Sequence, residues 1–229
     1  MGVWSCLREG VSAFTRRLRF LLGAWLIIYA IQRLLLVVVP SEYLLVQAIL
    51  QAVILAPLYA GQYLLALKAV RNEPVRFSEF LDGFVRVWPV VGASLLVSIA
   101  VSVGLLLFVI PGLVWAMMFA FSPILLVDRS VPRDRPIGAI ESLYESAQRT
   151  KGHRWTLFGV AAILSIPTLV YMALAYGMVY YPELIWLPRW GLELLLLFSE
   201  FLFLGPVYAT SFMVVYDRAT RRVDEPSTD

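Results

Sequence analysis

Residues 105–155 read LLLFVIPGLVWAMMFAFSPILLVDRSVPRDRPIGAIESLYESAQRTKGHRW. In order, the stretch holds the end of an apolar run, the pair Pro111-Gly112, a second apolar run, and a charged segment with helical periodicity. No charge interrupts residues 89–127, and unpaired backbone groups are not tolerated in hydrocarbon. The pattern therefore predicts a transmembrane helical hairpin that turns at Pro111 and Gly112. After Asp128, Arg129, Arg133, Asp134 and Arg135, the residues Ile137, Ile140, Leu143, Tyr144 and Ala147 share one helical face. That predicts a surface-lying helix over 136–151, with Pro136 in its first turn, Glu145 four residues before Arg149, and Gly152 as terminator before Trp155 re-enters the bilayer.

Composition sets the class around this stretch. The chain has 229 residues, of which 60% are hydrophobic and only 15% charged. With a mean hydropathy of +0.79, it has too few charges to surround a soluble core of that size, so an integral membrane protein is expected. One cysteine, Cys6, and one histidine, His153, exclude a disulfide framework within the chain and a metal site of clustered Cys and His. Cys6 suits a small buried position, with palmitoylation near the membrane surface as the alternative. The first apolar run exceeds a signal-peptide core and lacks a small-residue cleavage site, so it is expected to be retained.

Taken in order, the chain reads as three similar units. Residues 3–19 put Trp4, Leu7, Val11, Phe14 and Leu18 on one face and Arg8, Glu9, Ser12, Arg16 and Arg19 mostly opposite, which predicts a first surface helix. Spans over about 20–39 and 43–69 follow, joined by Pro40-Ser41-Glu42. Residues 74–88 set Phe77, Phe80, Leu81, Phe84 and Trp88 against Arg76, Glu79, Asp82 and Arg86, a second surface helix. The hairpin over 89–127, the third surface helix, a last hairpin over 155–181 and 190–216, and a polar mobile tail over 217–229 complete the chain. The expected fold is thus all-α, six transmembrane helices in three hairpins, each hairpin preceded by a cytoplasmic amphipathic helix. An internal repeat supports the division: Leu55-Ala56-Pro57-Leu58-Tyr59, Phe121-Ser122-Pro123-Ile124-Leu125 and Leu204-Gly205-Pro206-Val207-Tyr208 fall in the second helix of each hairpin. Pro57, Pro123 and Pro206 are expected to kink their helices, and the small residue before each allows close approach.

Orientation follows from the basic residues. Of 19 Lys and Arg, 17 fall in the N-terminal segment, the loops after the second and fourth spans, and the tail. Both termini are therefore expected on the cytoplasmic side. The same distribution accounts for the net charge of +3 and the pI near 9.1, so neither argues for nucleic acid as a partner. Arg133, Arg135, Arg149, Lys151, His153 and Arg154 are expected to face anionic lipid headgroups.

Three strings carry a resemblance to a known family: Ile110-Pro111-Gly112-Leu113-Val114-Trp115, then Ser122-Pro123-Ile124-Leu125-Leu126-Val127-Asp128, and Ala139-Ile140-Glu141-Ser142 through Thr150-Lys151-Gly152-His153-Arg154-Trp155. They resemble a family of bacterial and archaeal six-helix membrane proteins that includes the membrane domain attached to some glycerophosphodiester phosphodiesterases. The resemblance implies a fold and a membrane context. No soluble phosphodiesterase domain is present, so the activity of the fused relatives does not carry over. Seventeen arginines against two lysines suit a high-GC bacterial source, and the expected location is a bacterial cytoplasmic membrane.

Catalytic patterns are weak. His153 has no second histidine or cysteine near it in sequence. Ser142 and Ser146 share a helix with Glu141 and Glu145 but lack a base to activate a nucleophile, and Glu79 and Asp82 are flanked by Arg76 and Arg86 on one polar face. No phosphate loop, dinucleotide fingerprint or zinc-protease motif occurs, and no cofactor is expected. Two roles stay open. One is a noncatalytic scaffold, partner subunit or lipid-interacting protein, alone or as a homo-oligomer. The other is a transport or channel component, toward which Gln47, Gln51, Gln62, Glu193, Glu200 and the proline strings point.

Arg33, Glu193 and Glu200 are the ionisable residues within spans. At 1.5 Å per residue, Arg33 lies about 10 Å below the outer boundary, Glu193 about 5 Å and Glu200 about 15 Å. Arg33 could bridge the two carboxylates between the first and sixth spans, snorkel outward, or stand beside a solute path that the carboxylates line.

Overall fold

The computed structural model describes residues 2–131, 135–180, 191, 194 and 205–224. Within them the chain is helical and no strand occurs. Five helices are long and apolar enough to cross a membrane: Leu18–Val38, Val46–Val70, Val87–Leu107, Val109–Val127 and Arg154–Leu174. Of the sixth expected span, over 190–216, residues 190, 192–193 and 195–204 lie outside the described residues.

Helix α1 (Val3–Arg16) is separated from α2 (Leu18–Val38) by the single residue Arg17. A 3-10 turn, Ser41–Tyr43, leads into α3 (Leu44–Val70), which carries Pro57 in its interior. A second 3-10 turn, Phe77–Leu81, runs into the short α4 (Asp82–Val85) and then α5 (Val87–Leu107). Phe108 alone separates α5 from α6 (Val109–Met118), and a break at residues 119–121 separates α6 from α7 (Ser122–Val127). Helices α8 (Ala139–Arg149), α9 (Arg154–Tyr180) and α10 (Tyr208–Asp224) complete the description.

The reversal within the apolar stretch lies three residues earlier than expected. Phe108, at φ −160° and ψ 145°, is the extended residue, while Pro111 and Gly112 lie in the first turn of α6. Proline suits that turn because the amide it lacks would have no intrahelical partner there. Gly112 is there for packing. A Cβ on Gly104 would stand 2.7 Å from the Gly112 Cα, so the two backbones touch and neither position admits a side chain.

The three short segments expected on the membrane surface pack instead along apolar helices, and in a cyclic order. Helix α1 packs on α10, the Phe77–Val85 segment on α3, and α8 on α7. Each segment thus covers the closing helix of the unit before it, with α1 closing the ring onto the last. The contacts are tight. A Cβ on Gly10 would stand 2.6 Å from the Ser211 Cα, one on Gly61 would strike the Phe80 carbonyl, and one on Gly83 the Pro57 carbonyl. The buried face of α1 is consequently Cys6, Leu7, Gly10, Ala13 and Phe14, while Trp4, Val11 and Leu18 are exposed. In α8 the buried residues are Ser142, Ser146 and Arg149, with Ile140 76% and Tyr144 69% exposed. Small residues, Gly10 and Ala13 in α1 and Ser142 and Ser146 in α8, let the backbones approach at both interfaces, with Leu7 and Phe14 packed beside them in α1.

Helix α10 is the centre of the arrangement. Every residue from Ala209 to Asp217 is buried, and so are Ala219 and Thr220. Residues 217–224 therefore continue the helix where a tail was expected, and it stays packed as far as Thr220. Phe121 stacks edge-on against Phe212 and Tyr216 at 6.3 and 5.2 Å between centroids, fixing α7 to α10.

Candidate functional site: a charged hub where three helices meet

Arg71 follows the last residue of α3, Asp128 follows the last of α7, and Tyr216 and Asp217 lie in α10. Each follows a long apolar run, and Asp128, Tyr216 and Asp217 are buried, so pairing with one another offsets the cost of taking the charges out of water. Arg71 Nε donates to Asp217 Oδ1 at 2.6 Å, and its Nη1 donates to Ser130 Oγ at 2.7 Å. Its Nη2 lies 3.8 Å from Asp128 Oδ2. That carboxylate also accepts from the Tyr216 hydroxyl at 2.9 Å, and its other oxygen accepts from the Ser130 amide at 2.9 Å and hydroxyl at 2.6 Å. Arg221 Nε closes on Asp217 Oδ2 at 2.9 Å. Burial pulls the Arg71 guanidinium down, but its hydrogen bond to Asp217 and the charges of Asp128 and Asp217 outweigh that and hold it above the ordinary arginine value. One cation is thus shared by two buried carboxylates from two other helices.

Two cavities adjoin the hub, of about 490 and 300 Å³, and both are lined by Asp82, Val127, Asp128 and Arg129. Their charges are largely spent on neighbours. Arg86 donates to the carbonyls of Leu126 at 3.1 Å and Ile137 at 2.6 Å, which caps the end of α7. Arg129 lies 3.4 Å from Asp82, Lys68 lies 2.6 Å from Glu79, and Arg135 lies 2.7 Å from Glu141. Burial raises the Glu79 carboxyl, but its hydrogen bonds to Lys68 and the Arg76 amide win, and its pKa lies below the usual carboxylate value. The arrangement holds helices together.

Beside the hub, α8 repairs the break in the Val109–Val127 helix. Ser146 Oγ accepts from the Phe121 amide at 3.1 Å and donates to the Met118 carbonyl at 2.8 Å, and Thr150 Oγ1 donates to the same carbonyl at 3.3 Å. Ser122 and Ser142 hydroxyls meet at 2.7 Å. Backbone groups freed by the break are thereby satisfied by side chains of another helix.

The predicted site residues divide. Pro57 lies within α3, Pro123 in the first turn of α7 just after the break, and Pro206 in a π-helical turn over 205–207 that leads into α10. Pro167, inside α9, belongs to none of the three strings. Arg33 is exposed, with its guanidinium carbon 5.0 Å from the centre of the Tyr29 ring. Glu193 and Glu200 lie outside the described residues, and so does Arg133. Of the other residues expected at headgroups, Arg135 and Lys151 are exposed. Arg149 and His153 are 8% and 7% exposed and turn inward, because α8 lays that face on the broken helix. Arg149 pairs with Glu145 at 2.6 Å, and Arg154 donates to the Ala147 carbonyl at 3.2 Å.

Sequence reasoning passed over Arg71, Asp128, Tyr216 and Asp217 as hub members. The available signal was positional: Val127-Asp128 and Tyr216-Asp217 each put a carboxylate directly after an apolar run. No protein-family model, no curated protein and no solved structure matches this chain.

Proposed function

We propose that the chain is a noncatalytic multi-pass protein of a bacterial cytoplasmic membrane, with six spans in three hairpins and both termini cytoplasmic, acting as a scaffold, partner subunit or lipid-interacting protein. The observation that carries this is the closed hub: the ionisable groups just after α3 and α7 and within α10 are spent on one another. Such a network ties the helices to one another, as a scaffold requires. Arg129, Arg135 and Lys151 are exposed around it and suit anionic headgroups. The likeness of residues 110–155 to the six-helix membrane family is in keeping with the same role.

A transport role near Glu193 and Glu200 is the alternative. What favours it is the interrupted helix at residues 119–121 together with the π-helical turn at 205–207, since broken helices line solute paths in transporters. Native-lipid mass spectrometry of the purified chain separates the two. A stoichiometric copurifying protein or anionic lipid supports the first role, and a bound polar solute supports the second. Orientation is tested by cysteines placed at Glu42 and at Lys151, of which only the first should label from outside intact cells.

A further inference from the structure

A cavity of about 250 Å³ lies between α2, α3 and the start of α10, remote from the hub. Its walls include Trp25, Tyr29, Tyr59, Tyr63 and Tyr208, with Gln32 and Gln62 as the amides and, among the described residues, no Asp, Glu, Lys or Arg. Gln62 is 2% exposed and its Nε2 has no hydrogen-bond partner. An unsatisfied buried amide is uncommon enough to require an explanation. Gln62 stands eight residues before the end of α3, about 12 Å along the helix at 1.5 Å per residue. Trp25 stands seven residues into α2, about 10 Å, so both wall residues lie well inside apolar spans. Tyr59, on the wall, is exposed, so the cavity is reached from the flank of the bundle.

We propose that this cavity binds the neutral, flat, carbonyl-bearing head of a membrane-soluble molecule, of the quinone class, with Gln62 Nε2 donating to a carbonyl oxygen. The lack of charged lining selects against ions and charged headgroups, which would lose their hydration for nothing. Trp25 and Tyr29 are stacked on each other at 5.3 Å and 18° and, with Tyr59, Tyr63 and Tyr208, make an aromatic lining that suits a ring better than an acyl ester. The volume is below that of sites for drug-sized ligands and suits one ring, whose tail would leave past Tyr59 into the apolar surroundings. The cavity does not involve the hub, so it stands or falls separately from the role proposed above.

The test uses the full chain in nanodiscs, titrated with ubiquinone-1 and, in parallel, with dioctanoylglycerol as an ester-carbonyl counterpart. Ubiquinone-1 should raise the melting temperature saturably, and the Gln62→Leu variant should need at least ten times more for half the effect. Because that variant removes an unsatisfied polar group, it should fold at least as well as the parent. Ala209→Met, which fills the cavity, should abolish the response, and Tyr43→Phe, away from it, should leave the response unchanged. Equal responses of parent and Gln62→Leu, no response of the parent to ubiquinone-1, or a saturable response to dioctanoylglycerol alone would each overturn the proposal.

Discussion

Arg71 and Asp217 are 146 positions apart in sequence, and their side chains meet at 2.6 Å. The contact joins the end of α3 to α10, and through Asp128 and Tyr216 it takes in α7. Removing Arg71 alone leaves the buried Asp128 without its cation and Asp217 with only the exposed Arg221. Arg71→Leu should therefore cost roughly 3–5 kcal/mol in detergent unfolding, and Arg71→Leu with Asp217→Leu should recover a large part of that. If the single and double variants lose stability additively within about 0.5 kcal/mol, the pair is not coupled and the hub has been misassigned.

Gly10 sets the distance between α1 and α10. In Gly10→Val the added side chain meets the Ser211 backbone, which cannot move out of a fully buried helix. Helix α1 should lift, and Cys6, which is wholly buried in the parent, should react with a maleimide at least ten times faster. An unchanged alkylation rate would mean that α1 does not depend on this contact.

The hydroxyl of Ser146 is the partner of the Phe121 amide. Ser146→Ala strands that amide inside the bundle and should destabilise by about 1–3 kcal/mol. Tyr144→Ala, an exposed position two residues away on the same helix, should stay within about 0.5 kcal/mol of the parent. Similar losses in both variants would show that the cost comes from α8 itself and not from the repaired break.

Glu79 makes part of the stability pH-dependent. Its carboxyl titrates below the ordinary value of 4.5 when folded, so the unfolded chain binds the proton first. Its contribution is fully present above pH 4.5 and is lost as the pH falls from there through the lower folded value. Melting curves of Glu79→Gln should converge on those of the parent toward pH 3 and diverge from them above pH 5. A difference that is constant with pH would exclude the Lys68 pairing as its cause.

Sequence alone determined the apolar runs, the helical class, and most boundaries near Pro40, Pro111 and Gly152. These are legible because a helix in hydrocarbon must satisfy its own backbone, and that is a local property of some twenty consecutive residues. The reversal was misplaced by three residues because Pro111 tolerates a helix's first turn as readily as a break. What the tertiary structure decided was which faces meet. Hydrophobic patterning pointed to Leu7 and Phe14 in α1, which are buried, but also to Trp4 and Val11 there and to Ile140 and Tyr144 in α8, which are exposed, while the closest contacts use Gly10 and Ser142 with Ser146. Periodicity reports where apolar side chains lie, and between helices surrounded by apolar solvent their burial gains little, so close approach and hydrogen bonding choose the face. The hub is non-local in the same sense: Arg71, Asp128 and Asp217 each read as an ordinary charge ending a span, and only the folded chain brings one cation to two carboxylates.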